Sequence, residues 1–172
     1  MNRFLTITAS RWTRLVLVLL IVLSLQTTVF TELRPFGVAV QVVLLMVVVA
    51  GSLFGVAIGS LTGLVAGLMY DMILPTPVGL GSLALGLAGA TAGLLIYFFN
   101  EPTWWMRSIA VVVVSSLGEI YYPLVQATVG LDGWLQLRLL KVVLVVSICN
   151  LLLSPLAILV CRWTLSERKT VA

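Results

Sequence analysis

Glycine recurs at every fourth position in Gly51-SLF-Gly55-VAI-Gly59-SLT-Gly63-LVA-Gly67-LMY-Asp71, and the run stops on a lone acid. The intervening residues are mostly apolar, which excludes a solvated linker. In lipid, a small residue at every fourth position lets helix backbones approach closely. Each four-residue step advances about 40° beyond a full α-helical turn. Three such glycines mark one face, but five spiral around the helix. Either a turn cuts the track near its start, or more than one neighbour uses it.

The rest of the chain tells which solvent the track meets. Of 172 residues, 61% are hydrophobic and 9% charged, where a soluble domain carries roughly 25% charged residues. Mean hydropathy is +1.19. An all-α polytopic membrane protein is expected, with five to seven spans of ~20 residues and no room left for a separate soluble domain. The net charge of +4 is concentrated at the two ends, in Arg3, Arg11 and Arg14 and in Arg162, Arg168 and Lys169. No basic stretch is interleaved with aromatics, so nucleic acid is not an expected partner, and the positive-inside rule accounts for the pattern. The chain has no His, which excludes His-metal sites and Ser-His or Cys-His catalysis. Cys149 and Cys161 fall on one helix ~18 Å apart along its axis, too far to pair, and read as packing residues.

The run Leu15–Phe30 is apolar behind a basic lead, with no small-x-small cleavage site after it, so a retained first helix with a cytoplasmic N-terminus is expected. Val38 to Tyr70 as one helix would measure about 50 Å against a hydrocarbon core of ~30 Å. It must fold back, and Gly51-Ser52 is the expected break, with Gly55 a further candidate for the turn. Pro75, Thr76, Pro77 and Gly79 open an outer loop. Asn100-Glu101-Pro102 ends the next helix, with Trp104, Trp105 and Arg107 as an inner interfacial anchor. One membrane domain over 1–172 results, with six helices at about 15–30, 36–51, 54–71, 80–99, 106–128 and 137–163. Both termini are expected in the cytoplasm: seven Lys and Arg fall on the inner side and three, Arg34, Arg138 and Lys141, on the outer. The inner turn between helices two and three carries no charge.

Helix four is rich in Gly81, Gly86, Gly89 and Gly93, which makes it the natural partner for the face formed by Gly59, Gly63 and Gly67. Ionisable groups inside a membrane cost roughly 2.5–3.5 kcal/mol at a helix centre, which singles out Asp71, Glu119 and Lys141. Lys141 can snorkel to the outer interface. Asp71 ends helix three at the outer surface, in contact with water or within reach of a partner. Ser115, Glu119, Tyr122 and Gln126 follow spacings of 4, 3 and 4 and share a stripe of about 60°. Ser147, Asn150 and Ser154 form a weaker stripe on helix six. These stripes suit a hydrogen-bond network between helices five and six, a binding cavity, or a docking face for a partner helix. No catalytic constellation, cofactor motif or metal-ligand cluster is evident, and no enzyme activity is expected.

The run Gly59-x3-Gly63-Leu64-x2-Gly67-Leu68-x2-Asp71, followed by Pro77-x-Gly79 and a small-residue helix, resembles the rod shape-determining MreD family. Leu25-Gln26 and Arg34-Pro35 are similar to family features as well, while Phe36 and Gly37 stand where the family has an acid or amide. Glu119 matches a frequent helix-five acid. The resemblance implies a non-enzymatic scaffold of the bacterial cell-elongation machinery in the cytoplasmic membrane. Its partners would be MreC and, with it, MreB, RodA and a penicillin-binding transpeptidase, in a setting of membrane lipids. The family fold is similar to the S components of energy-coupling-factor vitamin transporters, which supply the alternative reading. S components typically dock through Ala-x-x-x-Ala on helix one, and no alanine occurs here between Ala9 and Ala39, which favours the scaffold. Self-association, including a homodimer, stays open.

Overall fold

The structure, a computed structural model, describes residues 10–32, 37–38, 40–73, 77–99, 103–128, 130 and 138–166. The described residues form six helices and no strand: α1 (Arg11–Glu32), α2 (Val42–Phe54), α3 (Val56–Asp71), α4 (Leu80–Tyr97), α5 (Trp104–Thr128) and α6 (Arg138–Leu165). The expected loops at 33–36, 74–76, 100–102 and 131–137 lie outside the described residues. So do Arg3, Arg168 and Lys169, and the side chains of Trp104, Arg138 and Lys141.

Four of the helices, α1, α4, α5 and α6, are long and apolar enough to cross a membrane. This is a membrane protein, and its outside says so too. Val16, Leu17, Leu20 and Ile21 on α1 and Leu152, Leu156 and Leu159 on α6 are exposed, an apolar perimeter that water would not tolerate. The other two helices are shorter. With 13 and 16 residues, α2 and α3 reach about 20 and 24 Å.

The short α2 is the centre of the bundle. Every residue from Val43 to Ser52 is buried, as expected of a helix apolar on all sides. All five other helices touch it. Because its flanks meet protein rather than lipid, its length is set by its neighbours.

The break in the glycine track falls at Gly55, four residues beyond the expected Gly51-Ser52. Gly55 has φ +86° and ψ −178°, a conformation open essentially to glycine alone. Gly51 cannot serve as the turn because it is a packing residue of α2: a Cβ there would run into the Gly89 carbonyl of α4. Gly59 meets the same carbonyl and the Gly51 Cα, so α3 folds straight back on α2 around one non-helical residue. The track is therefore cut in two, and α4 receives both pieces.

From that junction α3 and α4 run antiparallel with almost no space between backbones. A Cβ on Gly63 would strike Leu85 O and Gly86 Cα, and one on Gly67 would strike Gly81 O and Ser82 Cα. Gly93 lies against Gly55 and Val56. Gly86 differs, since a Cβ there would press on the Leu64 side chain, at 3.1 Å, and meet backbone at Ser60 O only at an ordinary 3.8 Å. The register also bears on the uncharged turn between α2 and α3. Gly55 sits opposite Gly93, and α4 continues to Tyr97, so the turn lies one helical turn, about 6 Å, inside the end of α4.

Arg14 closes the bundle at the same end. Its two terminal nitrogens donate to Trp163 O and Ser166 O at 3.0 Å, and its guanidinium stacks over the Trp163 ring at 5.9 Å. The last carbonyls of a helix have no partner within it, and a cation there also suits the helix dipole. The start of α1 and the finish of α6 thus share one end of the molecule.

The seam separates two glycine substitutions that look alike in sequence. Gly63→Ala forces backbone apart and should cost about 1–3 kcal/mol, visible as a lower unfolding temperature in mild detergent. Gly86→Ala needs only a rotation of Leu64 and should unfold within a degree or two of the parent.

Candidate functional site

At the end of the bundle opposite Arg14, the α4 N-terminus must satisfy its first amides without a side-chain cap, because its N-cap residue is Gly79, left-handed at φ +108°. Asp71 supplies the cap from the neighbouring helix. Its Oδ2 accepts from Gly79 N at 2.8 Å and from Ser82 N at 3.2 Å, and its Oδ1 accepts from Gly81 N at 2.9 Å. Anions are favoured at helix N-termini, where unpaired amides and the helix dipole point at them. Gly81 completes the fit, since a Cβ there would collide with Oδ1. Ser82 Oγ then donates to Leu64 O at 3.1 Å, tying the first turn of α4 back to α3.

Asp71 is therefore only 2% exposed. The expectation of an outer-surface acid open to water or to a partner is corrected. Three backbone amides surround the carboxylate and take up both oxygens.

A second polar cluster lies beside it. Glu119, 5% exposed, accepts through Oε2 from Gln41 Nε2 at 3.1 Å. Gln41 is the residue before α2, and the next buried amide, Val43 N, donates to Gln26 Oε1 of α1 at 2.9 Å. A side-chain amide from α1 therefore caps the buried start of the central helix, and the residue just ahead of that helix is anchored to α5. Gln41, Tyr70 and Tyr122 line a cavity of about 10 Å³ with Gly81, Gly118 and Leu44. That is room for about one water molecule.

The expected stripe on α5 is divided by the structure. Glu119 turns to α2, Tyr122 lines the small cavity, and Gln126, half-buried a turn further on, does not. Ser115 is fully buried, and its hydroxyl has no partner among the described residues. The α5–α6 hydrogen bond comes from the next residue, Ser116, whose Oγ lies 2.7 Å from Ser147 Oγ. On α6, Ser154 bonds back to Leu151 O at 2.9 Å, the carbonyl that Pro155 leaves without its helical donor. Asn150, 0% exposed, has neither amide atom paired among the described residues. Of the expected α5–α6 network between the stripe Ser115, Glu119, Tyr122 and Gln126 and the stripe Ser147, Asn150 and Ser154, Ser147 makes a bond across the pair among the described residues, and its partner is Ser116.

Gln26, Gln41 and Ser116 carry functions that the sequence reading did not assign. Gln26 and Gln41 stand alone at the edges of apolar helices, the position where an amide can meet orphan backbone groups. That placement was the available signal.

Compared with protein-family models, curated proteins and solved structures, the chain matches none.

The cap makes a graded prediction. Asp71→Ala leaves three donors unpaired, two of them buried, and should cost at least about 2 kcal/mol. Asp71→Asn keeps one acceptor oxygen and should fall between the two in thermal unfolding. Equal stability of all three proteins would contradict the cap.

Proposed function

We propose that the chain is a non-enzymatic membrane scaffold of the MreD kind, crossing the cytoplasmic membrane six times with both ends inside, and that its partner is MreC. The observation that carries this reading is the role of the motif itself. Gly59, Gly63, Gly67 and Asp71, the residues on which the resemblance rests, act as one unit that sets α4 against α3 and caps it. A rigid, backbone-packed centre with an apolar perimeter suits a protein that holds others in place. In the six-span reading, α2 and α3 cross as a hairpin whose turn stays inside the inner interface, which is why their connection needs no charge.

Among the described residues, the cavity at the Asp71 end favours a scaffold over a vitamin-uptake S component. Pockets for small molecules run to roughly 300–1,000 Å³, whereas the space beside Gln41, Tyr70 and Tyr122 is about 10 Å³. An orientation with the ends inside agrees with Arg11, Arg14, Arg107 and Arg162 at the end shared by the start of α1 and the finish of α6. Through MreC the scaffold would join MreB, RodA and a penicillin-binding transpeptidase and help regulate peptidoglycan synthesis and rod shape.

Coexpression with MreC followed by purification in mild detergent tests the reading, and the two proteins should elute together. A chain that elutes alone and binds a vitamin at nanomolar affinity would overturn it in favour of the transporter component.

A further inference from the structure

At the Arg14 end, between the start of α5 and the finish of α6, lies a groove of about 610 Å³ lined by Arg107, Ser108, Leu151, Ser154, Pro155, Ile158 and Arg162. Its composition is graded along its length. Arg107 and Ser108 belong to the first turns of α5 and Arg162 to the last turn of α6, so both cations come from the Arg14 end of their helices. Leu151, Pro155 and Ile158 form a floor that runs inward from Arg162 for eleven residues of α6, about 16 Å. Pro155 cannot donate and Ser154 satisfies the Leu151 carbonyl, which leaves that floor without an unmet backbone donor or acceptor at this point.

Three exposed tryptophans mark the depth of the mouth. Trp12, Trp105 and Trp163 lie on the same end of α1, α5 and α6, and exposed tryptophans collect at the headgroup level of a bilayer. The groove therefore brings two cations to the depth where lipid phosphates lie, and an apolar wall to where acyl chains lie. Guanidinium groups pair with phosphate oxygens through two parallel hydrogen bonds. From this charge complementarity and gradation we infer that the groove holds an anionic phospholipid of the adjacent leaflet, its phosphate between Arg107 and Arg162 and one acyl chain along α6 to Leu151. A lipid so placed bridges α5 and α6.

The test is native mass spectrometry of the full chain in mild detergent, offered phosphatidylglycerol and phosphatidylethanolamine with matched acyl chains. Phosphatidylglycerol should be retained at least about tenfold more tightly, and the double variant Arg107→Gln/Arg162→Gln should lose that preference. Arg107→Lys/Arg162→Lys should keep most of it, and Arg11→Gln, at the same end but outside the groove, should change nothing. Ile158→Trp, which fills the floor and keeps both arginines, should weaken lipid retention about tenfold and covers the case in which the Gln pair does not fold. Equal retention of the two lipids, retention of neither, or an unchanged Ile158→Trp would overturn the assignment. So would glycerol phosphate competing as well as the lipid, which would mean a free phosphate site without an acyl groove.

Discussion

The structure depends on how closely α4 can approach the folded pair α2–α3. Gly51, Gly59, Gly63 and Gly67 let backbone touch backbone along the whole seam, and the Gly89 carbonyl is held between Gly51 and Gly59. In lipid, dispersion over such a contact replaces the hydrophobic drive that assembles soluble helices. A seam this tight buries Asp71 and the first turn of α4 against each other. The α4 amides at the Asp71 end must be satisfied by protein, and Asp71 does so from the helix across the seam. The glycine track and its terminal acid are two halves of one device.

The same reasoning extends to α2. A central helix walled in by all five others exposes its N-terminus to protein rather than water, and unpaired amides there would cost about 1–3 kcal/mol each. Gln26 answers one such amide, while Gln41, just ahead of the helix, is held by Glu119. Glu119 thus reads first as an anchor for the start of α2. At the opposite end, Arg14 does for the α6 carbonyls what Asp71 does for the α4 amides. Both ends of the bundle are closed by a charged side chain from one helix on the terminus of another.

Much of this was legible in the sequence where periodicity and length speak directly. Six helices, the need to fold Val38–Tyr70 back on itself and the kinship of the α3 glycines with α4 all follow from spacing and bilayer thickness. What spacing could not tell is which glycine makes a turn and which makes a contact. Gly51 and Gly55 are equivalent in the track, and only the position of Gly89 distinguishes them. Asp71 misled for a related reason: an acid at a helix end looks like a surface group until the amides of the next helix are known to face it. Ser115 and Ser116 differ by 100° around α5, and the helix rotation that turns Ser116 to Ser147 is set by packing against α2, where Gly118 meets Leu44.

Amide hydrogen exchange at Gly79, Gly81 and Ser82 reads the central contact most directly. In the parent protein these three amides should be protected although they begin a helix. In Asp71→Ala they should exchange at least about tenfold faster, the equivalent of losing roughly 1.4 kcal/mol of local protection. Exchange at the three positions that is already fast in the parent, or unchanged by the substitution, would contradict the account.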